Sequence, residues 1–309
     1  MLRLAPLALL ILLAGCSSSR VASPSITSAE LQRAVEAEIA GFEGVVGVYV
    51  RHLETGATAE VRADELFPTA SMIKVPILVS VFDHIERGAF GYTDALTFRD
   101  SLRYNEDSGE LFAQLRDSST VYLHRAVELM LSASDNTASL WLQGMVTGES
   151  INEWLAANGF EGTRMNSRTE GRRGDWEVYG WGQTTPREMS ELVRRIVEGE
   201  AVSPGADDEM HRALTRTFFD DDAVAQLPPW VVAATKQGAV SQSRSEVVYV
   251  HAPSGPYVFT VVTKEQADTS WESTNAGYEL IRSLSRLFWT SFEPSSSWRP
   301  VEGVEQYRL

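Results

Sequence analysis

The sequence predicts an α/β fold: one antiparallel sheet flanked by an N-terminal and a C-terminal helix, with an all-helical lobe inserted between the strands. Three observations predict it. Strand-patterned segments sit toward the two ends of the chain, Val45 to His52 and Thr58 to Arg62 early, then Trp230 to Lys236, Glu246 to His251 and Tyr257 to Thr263 late. The long middle of the chain is helical in its periodicity. Helix-start signals stand outside the strands at both ends, Thr27 with Glu30 and Thr269 with Glu272, each a hydroxyl followed three residues later by a glutamate. Strands supplied by both ends and helices by the middle assemble most simply as a sheet with an inserted lobe, and they leave a cleft where lobe meets sheet.

In chain order, residues 1–15 read as a secretory leader: Arg3, an apolar run from Leu4 to Leu13 too short to span a bilayer, then small residues before Cys16. This resembles a bacterial lipoprotein signal, in which Cys16 is lipidated and becomes the new first residue. Cys16 is the single cysteine, so an internal disulfide is excluded. Ser17 in place of an aspartate points to the outer membrane, facing the periplasm. Residues 16–26 form a Ser-rich tether. The first helix buries Leu31, Val35 and Ile39; the first two strands form a hairpin through Glu54-Thr55-Gly56. A later helix opens at Thr185-Pro186-Arg187-Glu188 and buries Met189, Leu192, Val193 and Ile196, and the last buries Ile281, Leu284 and Phe288. Residues 27–292 are thus one domain, and 293–309 a Ser/Pro-containing tail.

Net charge is -15. A surface this acidic repels nucleic acid and anionic lipid, which leaves the lipid on Cys16 as the hold on the membrane. The chain carries 27 basic residues, yet its lysines are only Lys74, Lys236 and Lys264. Arginine cannot act as a base at neutral pH and lysine can, so the positions that keep lysine invite a chemical reading.

One of them lies in Phe67 to Leu78, where Ser71 and Lys74 stand three positions apart at the start of an apolar helical pattern, on one face of its first turn. A serine hydroxyl needs a neighbouring base to attack a carbonyl, and a desolvated lysine can serve. Ser134-Asp135-Asn136 follows between helical patterns, and Lys236-Gln237-Gly238 ends a strand. With these three motifs the chain resembles the class A β-lactamases and the wider penicillin-recognising serine hydrolases, whose set is Ser-x-x-Lys, Ser-Asp-Asn and Lys-Thr-Gly. The resemblance runs from about Ala29 to Phe292.

It implies that Ser71 attacks the carbonyl, Lys74 takes the proton, and Ser134 hands one to the leaving nitrogen, helped by Lys236. Asn136 would hold the substrate's side-chain amide, Asp135 would brace the loop, and Tyr104 would wall the cleft. The backbone amides of Ser71 and Ala239 would form the oxyanion hole, with Gly238 allowing close approach. No cofactor or metal is implied.

Two departures stand out. Gln237 replaces the hydroxyl with which the family binds the substrate carboxylate, which moves that task to Gln237 itself, or to Thr235, Ser241 or Arg244. The Glu-x-x-x-Asn pair that activates the deacylating water is missing between Thr163 and Pro186. Glu170 serves only if the loop shifts; the alternative is a surface pairing with Arg172 and Arg173. Trp176, Tyr179 and Trp181 are expected to pin this loop. The five histidines show no metal-ligand spacing, and no Gly-x-Ser-x-Gly elbow occurs. The expectation is a monomeric serine hydrolase opening β-lactams through a Ser71 acyl-enzyme. The alternatives are a D,D-peptidase or esterase acting on cell-wall peptides or esters, and a penicillin-binding sensor that does not turn over.

Overall fold

The computed structural model describes residues 26–105 and 110–301. The leader, Cys16, most of the tether and the end of the tail lie outside them. In chain order the elements are α1 (Ser28–Ile39), β1 (Val45–His52), β2 (Thr58–Val61), β3 (Phe67–Pro68), α2 (Lys74–Glu86), β4 (Ala95–Thr97), β5 (Thr120–Tyr122), α3 (Leu123–Ser132), α4 (Asn136–Val146), α5 (Gly148–Ala157), β6 (Arg164–Met165), α6 (Arg173–Tyr179), β7 (Gly182–Thr184), α7 (Pro186–Glu198), α8 (Pro204–Leu214), β8 (Ala233–Val240), β9 (Ser243–Val250), β10 (Tyr257–Lys264) and α9 (Ala276–Phe292). The main sheet is antiparallel with order β2-β1-β10-β9-β8, so strands from both ends of the chain meet at β1–β10.

Apolar side chains fill both faces of this sheet. Leu31 and Val35 of α1 pack with Leu284 and Phe288 of α9 against Val48, Val250 and Phe259. The opposite face carries Val247 and Val262 under the lobe, where Ile77, Leu78, Met130, Leu142 and Met189 join one continuous core. Each such side chain withdrawn from water contributes about 1.5–3 kcal/mol. The N-terminal capping box forms: the Thr27 side chain accepts from the Glu30 amide, and the Glu30 carboxylate accepts from the Thr27 amide.

The other ends correct the sequence-based expectation. Thr185 caps α7, but the Glu188 carboxylate turns outward to accept from the amides of Glu161, Gly162 and Thr163 and so clamps the loop before β6. α9 begins at Asn275 rather than Thr269. Asn275 caps the Gly277 amide and also bonds Gln266 and the carbonyls of Asp268 and Ser270, tertiary partners that outweigh the local box. β8 runs past Lys236 to Val240, because its pairing with β9 closes at Val240–Ser243 through the two-residue turn Ser241-Gln242. The Lys-Gln-Gly motif therefore lies inside an edge strand, not at its end.

Candidate active site

Ser71 sits on a 3-10 turn, Ala70–Ile73, that leads into α2. Ala70 holds φ +43°, a left-handed conformation that costs a non-glycine residue about 1–3 kcal/mol and persists because Thr69 and Met72 are buried on either side. Ser134, between α3 and α4, is likewise left-handed at φ +54°. Asp135 fixes it there: buried, it caps α4 by accepting from the Ala138 amide at 2.8 Å and takes the Phe112 amide at 2.9 Å.

These turns converge on two buried lysines. Lys74 Nζ lies 3.0 Å from Ser71 Oγ, 2.9 Å from Ser134 Oγ, 2.8 Å from Asn136 Oδ1 and 2.5 Å from the Ser134 carbonyl. Lys236 Nζ lies 3.0 Å from Ser134 Oγ and donates to the Gln237 carbonyl and to Gln237 Oε1, each at 2.9 Å. Burial holds the Lys74 ammonium down to about 7, against the raising pull of Glu110 and Asp135. Burial, with Lys74 beside it, also lowers Lys236. Two carbonyl oxygens match the two N–H bonds of a neutral Lys74 amine, whose single lone pair can then accept from either the Ser71 or the Ser134 hydroxyl. Lys236 has a similar two-carbonyl environment but faces the Ser134 hydroxyl alone, so of the two lysines only Lys74 is bonded to Ser71.

Gly238 brings the strand against the nucleophile. A Cβ there would stand 2.7 Å from the Thr69 carbonyl and 2.9 Å from the Ser71 amide nitrogen. Its neighbour Ala239 pairs with Arg244, whose own amide donates to Thr263 Oγ1 on the β10 side. The Ala239 amide therefore points off the open edge of the sheet, next to the Ser71 amide, as an oxyanion hole requires.

The cleft, about 640 Å³, is lined by Ser71, Tyr104, Asn136, Tyr179, Trp181, Ala239 and Ser241 among others. Tyr104 and Trp181 meet edge to face at 5.2 Å. Trp181 and Tyr179 thus form cleft wall, where the sequence suggested only loop pins; nothing in their spacing distinguishes the two. Gln237, paired with Glu246 in the register of β8 and β9, reaches around the edge strand so that its Oε1 accepts from Lys236.

Three expected residues stand elsewhere. Arg244 is fully buried on the α9 face of the sheet, its guanidinium donating to the carbonyls of Val240, Ser243 and Ser270 between the rings of Trp271 and Tyr278. Thr235 faces the same side and donates to buried Glu246 at 2.7 Å. Neither reaches a substrate carboxylate. Glu170 is exposed and lines an adjoining depression with Arg168, Arg173 and Trp176, which shares the Tyr104 and Trp181 wall with the cleft but lacks Ser71 and Lys74. Arg172 turns away from it, bonding Asn166 and Gln183 and pairing with Asp175, and Arg173 pairs with Glu177.

A serine bonded to a buried lysine and a second serine bridging two lysines, on a two-part α/β frame, form an arrangement suited to serine acyl transfer. The chain belongs to the β-lactamase enzyme family, whose model matches residues 30–292. It is 28% identical over 250 residues to a β-lactamase of Streptomyces albus G (74% of this chain, 76% of that one). With β-lactamase AER-1 of Aeromonas hydrophila it shares 25% over 266 residues, 81% of this chain and 83% of the relative. Among solved structures, PBP-A is 28% identical and superposes with TM-score 0.76 over 88% of this chain and 98% of its own. A point mutant of PBP-A, 27% identical with TM-score 0.76 over 88% of this chain and 99% of its own, is an acyl-enzyme complex with penicillin G.

Proposed function

We propose that this protein is a serine β-lactam hydrolase working through a Ser71 acyl-enzyme. The observation that carries it is the unbroken hydrogen-bonded chain Ser71–Lys74–Ser134–Lys236. Ser71 Oγ attacks the lactam carbonyl carbon while its proton passes to neutral Lys74. The oxyanion is held by the amides of Ser71 and Ala239. As the C–N bond breaks, Ser134 delivers a proton to the nitrogen and is resupplied from Lys74, leaving a serine ester that water hydrolyses.

Exposed Glu170 favours a second reading of the later step: the ester outlives its formation, as in a penicillin-binding or D,D-peptidase-type enzyme. Intact mass of the protein over time with a chromogenic cephalosporin tests both. The expected result is one Ser71-dependent adduct per molecule, a burst of one equivalent, then slow turnover that Glu170→Gln changes by less than about twofold. Absence of any adduct defeats the proposal. A tenfold fall in turnover in Glu170→Gln would place that carboxylate in deacylation.

We also assign the leader and Cys16 to lipid anchoring on the periplasmic side, at the outer membrane, of a monomeric enzyme with a single domain at residues 27–292. Labelled palmitate should enter the unmodified protein and not Cys16→Ser; equal labelling of both would end that assignment.

A further inference from the structure

Away from the Ser71 cleft, His211 and His251 approach each other with Nε2 atoms 3.2 Å apart. Their ring centres are 5.1 Å apart and their planes 28° from parallel. His211 projects from α8, which packs on α3 and α7 in the lobe. His251 follows β9 and is fixed by its own amide, which donates to the Val232 carbonyl at 3.0 Å, and by the Tyr249 ring at 5.0 Å. The pair therefore joins lobe to sheet. Neither histidine lines the Ser71 cleft.

The two rings meet through their Nε2 edges rather than face on. With metal–nitrogen bonds of about 2.05 Å meeting at a tetrahedral angle of about 109°, two imidazoles place their nitrogens about 3.3 Å and their ring centres about 5.2 Å apart. The observed 3.2 and 5.1 Å match that convergence. The same contact serves as a bent N–H···N hydrogen bond in the absence of metal, one Nε2 donating and the other accepting, and an ion would replace the shared proton. Asp208, one turn before His211, acts on it electrostatically and is held by an exposed pair with Arg212.

We propose that His211 and His251 form a binding site for a divalent transition-metal ion of the zinc class, separate from the catalytic cleft. Nε2 of both rings ligates the ion and water fills the remaining positions, since among the described residues no third histidine, cysteine or carboxylate joins the pair. Imidazole donors select zinc, copper or nickel over magnesium and calcium. The bound ion ties α8 to the end of β9 and so fastens the helical lobe to the sheet.

The test is zinc titration of the untagged purified protein against a chromogenic chelator, alongside His211→Ala and His251→Ala. One equivalent should bind at micromolar zinc, and each variant should lose at least about tenfold in affinity. In the unmodified protein the ¹⁵N resonances of both Nε2 atoms should shift together on zinc addition, and the thermal midpoint should rise. The magnetic-resonance readout needs no substitution, so it stands even if a variant folds poorly. No binding at micromolar zinc, binding undiminished in both variants, or unmoved Nε2 resonances would each overturn the site.

Discussion

Lys74→Arg should slow acylation of Ser71 by about 10³-fold, within the range of about 10²–10⁴ for loss of a positioned base. The substitution fixes a permanent positive charge in place of the group beside Ser71 Oγ that can shed its proton near neutral pH. Single-turnover acylation by a chromogenic cephalosporin reads this directly. Lys74→Ala provides the control for crowding by the larger side chain, and should fall at least as far. If either variant acylates within tenfold of the unmodified protein, Lys74 is not the base.

The same lysine sets a pH dependence whose sign is fixed. With Lys74 as the proposed base, acylation uses the neutral amine, so its rate should rise with pH through about 7, to which burial lowers Lys74. Glu110 and Asp135 both stabilise the ammonium. Replacing Glu110, whose carboxylate accepts from the amide and hydroxyl of Thr137, by glutamine removes one negative charge and lowers the lysine's proton affinity further. The acid limb should move to lower pH. A shift in the opposite direction would mean that the titrating group is not Lys74.

Much of this was legible in the residues. The helical stripes of α1, α7 and α9, the hairpin from β1 to β2 and the three motifs are local patterns, and local patterns survive folding when one face is buried. What escaped depends on pairing. Whether Arg244 faces the cleft is decided by the parity of β9: Ser243, Ser245 and Val247 face the lobe, so Arg244 and Glu246 must face α9. No count along the sequence fixes that parity until the turn at Ser241-Gln242 is known. Gln237 can reach Lys236 only because β8 is an edge strand, a fact of sheet order. Asn275 and Thr269 are both sound caps in isolation, and the choice between them falls to Gln266 and Asp268, which bind Asn275 only once the loop has folded. The wall formed by Tyr104 and Trp181 joins two loops whose separation in sequence carries no signal.

Gly238→Val should lower acylation by about 10²–10³-fold, the usual cost of misplacing one oxyanion-hole donor. The glycine is required by contact rather than by backbone angle. Even a single Cβ meets the Thr69 carbonyl at 2.7 Å, Ser245 Oγ at 2.8 Å and the Ser71 amide nitrogen at 2.9 Å, and two of these three are backbone atoms that cannot swing aside. The strand must retreat, carrying the Ala239 amide away from Ser71 while leaving the Lys74 network on α2 and α4 in place. The expected signature is therefore a loss in kcat/KM with Lys74's acid limb unmoved, accompanied by destabilisation of about 1–3 kcal/mol for overpacking. Gly144→Ala in α4, where a Cβ meets nothing within 4 Å, is the matched control and should leave acylation unchanged. If Gly238→Val acylates normally while melting lower, the tight contact between β8 and the Ser71 turn serves stability alone, and the amide of Ala239 is not the second donor. If instead the loss appears together with a displaced acid limb, the retreat of the strand has also withdrawn Lys236 from Ser134, and the two lysines act on the nucleophile as one coupled unit.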